Sequence, residues 1–386
     1  MPSTKKTLGI AGAVVGIGAA VGLGAAVGIR RYAVGRARLS PDPEADEPFG
    51  TLHGRSLTVL ADDGLPLHVE IDGPDLDGQP APLTLVFCHG YALNQHSWHY
   101  QRRDLAGVRM VLWDQRSHGR SGRSKPTHAT IDQTGADLYA VLQATVPDGH
   151  PVVLVGHSMG GMTIMALAER HPELFGDADE APAAAASDGA PDALPSGGPK
   201  VVGVVLMNTS AGKLKEMTLG LPLVVVKAMR PITPGVMHSL SKRAQLVEQA
   251  RRAAGDISFM VTRRMAFASK KVSPALVDFL EQMIRSTPID VIAEFYPALM
   301  AHDKTGAVDV IGRVPTVVLT AGADRFTPPA HGAAIAEAIP GAELIETPEA
   351  GHVLMLEHPE AVTGALRALL DRVGVEAGPY RAGGTA

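Results

Sequence analysis

The sequence predicts an α/β protein: a doubly wound, mostly parallel sheet of eight strands, interrupted by a helical cap insertion. Three observations predict it. Eight short apolar runs lie at 57–60, 67–71, 83–88, 109–113, 152–155, 201–207, 316–320 and 342–345, and from the third onward helical stretches separate them, as parallel strands joined by crossover helices require. Residues 151–155, Pro-Val-Val-Leu-Val, form a continuous β-branched run, the pattern of a strand covered on both faces. That run passes through Gly156-His157-Ser158-Met159-Gly160 into an apolar-faced stretch, 159–170, which ends before Pro172 and reads as a helix.

Composition bounds the rest. The 386 residues, 45% hydrophobic and 19% charged, can bury a large core. A net charge of −5 offers no basic footprint for nucleic acid. The single cysteine, Cys88, excludes an intramolecular disulfide framework and any multi-cysteine metal site, and its apolar neighbours make it a core residue.

Taken in order, residues 8–29 are 22 positions without a charge, between Lys5-Lys6 and Arg30-Arg31. As a helix they would measure about 33 Å, against roughly 30 Å of hydrocarbon. Arginines, and not a polar cleavage region, follow the run, so 1–38 is expected to hold an uncleaved membrane anchor; a cleaved signal peptide is the rival. Seven glycines in the run weaken it as a helix. Their G-x-x-x-G pairs at 12/16, 18/22 and 24/28 are each turned about 240° from the one before, so they form no single dimerisation seam. Two lysines before the run and Arg30, Arg31, Arg36 and Arg38 after it lean the catalytic domain towards the cytoplasmic side. Residues 39–49, rich in proline and acids, read as an extended linker. The core is expected at 50–212 and 311–375, its first two strands preceding the crossover units. Within it, 177–199 is alanine, proline, aspartate and glycine without periodicity, a disordered surface loop. Residues 213–310 show helical pattern broken at Pro222, Pro231, Pro234, Pro274, Pro288 and Pro297, read as a helical cap over the active site. Residues 376–386 read as a flexible tail.

The chemistry centres on Ser158. Its pentapeptide matches G-x-S-x-G, in which a strand-to-helix turn lifts a serine Oγ above the sheet and small residues allow the backbone segments to approach; Gly156 and Gly160 fill those positions. A serine needs a base to take its proton and an acid to orient that base, and the expected chain order is Ser, then Asp or Glu, then His. Asp324 follows the strand at 316–320, and His352, preceded by Gly351, follows the next strand. Both stand at carboxyl-terminal strand ends, where doubly wound sheets place their sites. Asp303 and Asp309 are the rival acids, and His331 and His358 the neighbouring histidines. The strand before 316–320 ends in Asn208, which carries no charge. Oxyanion donors are expected from the backbone N–H of Met159 and from that of Tyr91, in the loop His89-Gly90-Tyr91 where Gly90 permits an unusual backbone.

These features resemble an α/β-hydrolase fold serine hydrolase of the capped esterase and lipase kind, over about residues 50–375. His89-Gly90, the stretch Asp114-Gln115-Arg116-Ser117-His118-Gly119-Arg120-Ser121, the Ser158 turn and the Asp324 and His352 loops match in order. The second resembles the family's D-x-R-G-x-G-x-S turn, with Ser117 where glycine is usual. The resemblance implies the fold and the triad; the family's substrates are too diverse to carry over. A serine ester hydrolase is the first reading. Cofactor-free haloperoxidases and C–C bond hydrolases share the fold and triad, whereas epoxide hydrolases and haloalkane dehalogenases carry an aspartate where this chain has Ser158. A membrane-tethered binding protein on an inactive scaffold is the reading from another class. No metal-ligand cluster, phosphate loop or dinucleotide fingerprint accompanies the triad, so no cofactor and no metal are expected. The expected partners are a small-molecule or lipid ester and, through 8–29, a membrane; the sequence carries no signal for oligomeric state. Residues 213–304 hold seven of the 14 methionines and 14 Lys and Arg against 8 Asp and Glu. An adaptable apolar lining and a basic face near anionic lipid both lean towards lipid-like esters.

Overall fold

The computed structural model describes residues 35, 41–73, 81–176, 198–212, 214 and 255–374. The strands are β1 (Arg55–Leu60), β2 (Pro66–Asp72), β3 (Thr84–Cys88), β4 (Arg109–Trp113), β5 (Pro151–His157), β6 (Lys200–Met207), β7 (Thr316–Ala321) and β8 (Glu343–Thr347). The α-helices among the described residues are α1 (His99–Asp104), α2 (Ile131–Thr145), α3 (Met159–Arg170), α4 (Gly255–Ala266), α5 (Pro274–Ser286), α6 (Ile289–Ala301), α7 (Ala307–Ile311), α8 (Pro329–Ala338), α9 (Leu354–Glu357) and α10 (Pro359–Arg372). Each of the eight apolar runs forms a strand.

The strands make one eight-stranded sheet in the order β1-β2-β4-β3-β5-β6-β7-β8. β2 pairs antiparallel with both β1 and β4, and every other pair is parallel. Alternate side chains of each central strand enter separate cores. Val153 and Val155 of β5 join Phe87, Val205 and Leu319 under α5, α9 and α10. Val152 and Leu154 join Val86, Val111 and Leu206 under α2, α3 and α8. Two buried faces explain why these strands read as unbroken apolar runs.

A third apolar cluster positions the insertion. Met159, Met162 and Ala166, from the first two-thirds of α3, pack with Val291, Phe295 and Leu299 of α6 and with Leu214. Thus α6, which lies between β6 and β7 in sequence, sits over that part of α3. One expectation needs correction: Pro297 does not break a helix but lies inside α6. The proline leaves the Ala293 carbonyl without its intrahelical donor, yet Phe295 and Leu299 on either side of it anchor the helix in the cluster. Pro274 and Pro288 do mark helix starts. Pro222, Pro231 and Pro234, most of the loop expected at 177–199, and the tail fall outside the described residues. So does the anchor expected at 8–29; among the described residues no helix is long and apolar enough to cross a membrane.

Candidate active site

Ser158 occupies the turn between β5 and α3 with φ 52° and ψ −117°, a conformation that costs an L-residue energy. Its surroundings enforce it. The Ser158 N–H donates to Met207 O (2.9 Å), the Thr209 hydroxyl donates to Ser158 O (2.7 Å), and Gly161 N–H donates to the same carbonyl (3.0 Å). Side chains are excluded beneath the turn: a Cβ on Gly160 would lie 2.0 Å from Cys88 O, and one on Gly156 2.7 Å from the Gly160 carbonyl carbon. A Cβ on Gly90 would meet His157 Nδ1 at 2.6 Å.

The structure brings Ser158, Asp324 and His352 together. Asp324 lies in the loop after β7 and His352 in the loop after β8. His352 Nδ1 is 2.7 Å from Asp324 Oδ2, and His352 Nε2 is 3.1 Å from Ser158 Oγ. The Asp324 carboxylate also accepts the N–H groups of Phe326 (2.7 Å) and Thr327 (3.0 Å) and the Thr327 hydroxyl (2.8 Å). Burial raises its affinity for a proton, but the neighbouring imidazole and these donors outweigh burial and hold the carboxyl below its ordinary range. With Nδ1–H donated to the carboxylate, the Nε2 lone pair faces the Ser158 hydroxyl, an arrangement that can accept the serine proton. The rival groups lie elsewhere. Asp303 is exposed and accepts the Thr305 N–H and hydroxyl, and Asp309 is exposed in the first turn of α7. His331 bonds Ser210 Oγ (2.8 Å), and His358 stands at the start of α10.

Met159 is the first residue of α3, so its N–H belongs to the first turn, which has no intrahelical acceptors. Tyr91 follows Gly90 in the loop after β3, and its hydroxyl donates to Ile292 O of α6. Below this loop a buried polar chain holds it. Burial pushes the His89 imidazole down to about 3, so it is neutral, with Nδ1–H donating to Gly90 O (2.8 Å) and Nε2 accepting the Gln115 N–H (2.9 Å). The Gln115 side chain donates to His89 O (2.6 Å) and accepts the Thr163 hydroxyl of α3 (2.8 Å). The turn after β4 is built on Asp114, which accepts the N–H groups of Gln95 and Arg120, each at 2.8 Å. Ser117 adopts φ +65°, the left-handed conformation that glycine would take most easily, and its Oγ accepts the Ser124 N–H (2.9 Å). Arg116 and Asp137, both buried, pair through two 2.6 Å bonds.

Three residues at the site carried no signal strong enough to be singled out for it: His157, Asn208 and Thr327. His157 Nε2 donates to His352 O (2.9 Å), and Asn208 Nδ2 donates to the same carbonyl (2.7 Å) and to Gly351 O (3.2 Å). The Thr327 hydroxyl lies 2.7 Å from Asn208 O. Among the described residues no group of three or more His, Cys, Asp or Glu could hold a metal ion.

Comparison with known proteins agrees with this architecture. The chain is 31% identical over 114 residues to a monoacylglycerol lipase of Mycolicibacterium smegmatis, covering 28% of this chain and 39% of that protein. It is 34% identical over 105 residues to a non-heme chloroperoxidase of Burkholderia pyrrocinia, covering 27% of this chain and 35% of that protein. These alignments span under two fifths of either relative's length. A thermophilic esterase from Thermogutta terrifontis has the same fold, with a TM-score of 0.60 and 22% identity over 83% of this chain and 99% of that one. The family model described as "Alpha/beta hydrolase family" matches residues 85–365, which hold strands β3 to β8 and the site, and the chain therefore belongs to that family.

Proposed function

We propose that this protein is a membrane-anchored serine hydrolase that cleaves carboxylic esters, preferentially with apolar acyl chains, through a Ser158-His352-Asp324 triad. The observation that carries the reading is the hydrogen-bonded run from Asp324 through His352 to a serine on a strained turn, at 2.7 and 3.1 Å. Ser158 Oγ attacks the ester carbonyl while His352 Nε2 takes its proton, and Asp324 stabilises the imidazolium. The N–H groups of Met159 and Tyr91 receive the oxyanion. Collapse breaks the bond to the alkoxide oxygen, which takes the proton from the His352 imidazolium and leaves as the alcohol, and water then attacks the acyl-enzyme by the same route. The lipase relative, the apolar cluster between α3 and α6, and the methionines and excess positive charge of 213–304 all support a lipid-like substrate. In this reading 213–310 is the cap and 1–38 the tether.

A chain-length series of p-nitrophenyl esters tests it, assayed on protein lacking residues 1–38, with and without anionic vesicles, alongside labelling by a fluorophosphonate. Labelling confined to Ser158 and a kcat/KM that rises with acyl length support the proposal. Highest kcat/KM on acetate, unmoved by vesicles, replaces the lipid reading with a small-molecule carboxylesterase. The chloroperoxidase relative favours a second reading, a cofactor-free haloperoxidase-like activity from the same triad; peracid formation from acetate and hydrogen peroxide would reveal it.

A further inference from the structure

The loop that carries His352 is tied down at a point its imidazole does not explain. The His352 carbonyl is the meeting place of two side-chain donors from adjacent strand ends, His157 Nε2 at 2.9 Å from the end of β5 and Asn208 Nδ2 at 2.7 Å from just beyond β6. Asn208 also holds Gly351 O at 3.2 Å, so consecutive carbonyls of the histidine loop share one amide. Both side chains are buried, and each keeps one atom, His157 Nδ1 and Asn208 Oδ1, without a partner among the described residues. An orphaned buried acceptor destabilises a fold, which points to a function for the bonds that are made. The backbone of Asn208 is equally committed. It adopts φ +45°, a left-handed conformation for which asparagine is the best residue after glycine, and its carbonyl lies 2.7 Å from the Thr327 hydroxyl, itself 2.8 Å from Asp324 Oδ2. One residue therefore touches the histidine loop with its side chain and the aspartate loop through its backbone.

We propose that Asn208 and His157 are positioning residues that clamp the His352 main chain, so that the imidazole is held against Ser158 independently of its bond to Asp324. The proposal rests on the serine-hydrolase reading. Burial keeps His157 neutral, pushed down to about 3, and the His352 carbonyl requires the proton on Nε2, so the clamp presents a fixed donor at neutral pH. Clamp and acid act at different atoms: Asp324 fixes the ring's tautomer and charge, whereas the amide and the second imidazole fix where the loop stands.

Purified full-length protein assayed on a soluble p-nitrophenyl ester provides the test. Asn208→Asp keeps size and tolerates the left-handed backbone but sets an acceptor against two carbonyls; Asn208→Gly keeps the backbone and removes the donor. Each is expected to lower kcat roughly 10- to 100-fold, the scale of a displacement of about 1 Å at a reacting group, with KM within about twofold and fluorophosphonate labelling slowed in parallel. His157→Phe, a ring without a donor, should show the same loss, and His157→Gln, which can present an amide N–H towards the carbonyl, should recover most of it. Wild-type kcat in both Asn208 variants, with Ser158→Ala inactive, overturns the clamp and leaves the triad standing. A loss that merely tracks the folded fraction, with unchanged kcat per folded molecule, overturns it as well. An active Ser158→Ala removes the triad reading and the clamp with it.

Discussion

Ser158 holds its unusual φ with hydrogen bonds made by its backbone, not by its hydroxyl, so the hydroxyl can be removed without disturbing the turn. Ser158→Ala is therefore expected to fold as wild type and to lose at least ~10³-fold in kcat; near wild-type turnover of a short p-nitrophenyl ester would falsify the assignment. Asp324→Asn, which leaves the imidazole without a charged partner, and His352→Ala should each be severely impaired. His331→Ala, whose ring bonds Ser210 Oγ, and His358→Ala, at the start of α10, should stay within a few-fold of wild type; full activity in Asp324→Asn would move the acid elsewhere. Gly160 is the intolerant neighbour. Its missing Cβ leaves room for Cys88 O, 2.0 Å from where that atom would stand, so Gly160→Ala must part β3 from α3. A loss of about 3 kcal/mol or more in urea unfolding is expected, the upper range for overpacking, and an unchanged midpoint would mean that α3 can shift freely.

At the scale of elements, the Arg116–Asp137 pair joins the turn after β4 to α2 with both side chains buried. Arg116→Met leaves a buried carboxylate without its partner and is expected to cost about 3–5 kcal/mol, while the double variant Arg116→Met/Asp137→Leu should recover much of that; equal losses in single and double variants, by urea unfolding, would contradict this. This pair also marks where sequence reading stops. The strands were legible because covered parallel strands must be continuously apolar, and α3 because Ser158 and Pro172 bracket an amphipathic stretch. Arg116 and Asp137 lie 21 residues apart, and nothing local distinguishes them from exposed charges. Asn208 was legible only as a residue unable to serve as the acid, because its value depends on two carbonyls that the fold delivers from beyond β8. Pro297 misled for the converse reason: packing of Phe295 and Leu299 overrides a local helix breaker. Ser117 resolves a departure from the family pattern, since serine takes the left-handed conformation in place of glycine and its hydroxyl accepts a hydrogen bond that glycine could not.

For the molecule as a whole, buried histidines set a pH dependence. Burial pushes His89 and His157 down to about 3 and His118 and His302 to about 4. Their folded values lie below the unfolded value near 6.5, so the unfolded chain binds more protons between about pH 6.5 and 4, and stability falls as pH drops through that window. At pH 5.5 each contributes about 1.4 kcal/mol of lost stability. Melting temperature should fall clearly from pH 7.5 to 5.5, with net proton uptake on unfolding; a flat profile would mean that these rings are solvated. Removal of residues 1–38 should leave a soluble, active enzyme, and the full-length protein should sediment with membranes; its recovery in a high-speed supernatant at uncleaved mass argues against a tether. The core also has a chemical silence. Cys88 is fully buried beside Gly160, and burial pushes its thiol up to about 12, so almost no thiolate forms near neutrality. The native fold should therefore leave maleimides and iodoacetamides unreacted, and any cysteine placed on the surface, such as at the exposed Val261 of α4, becomes a unique handle. A spin label or dye there would report whether the helices between β6 and β7 move when substrate arrives, on a background the protein keeps blank.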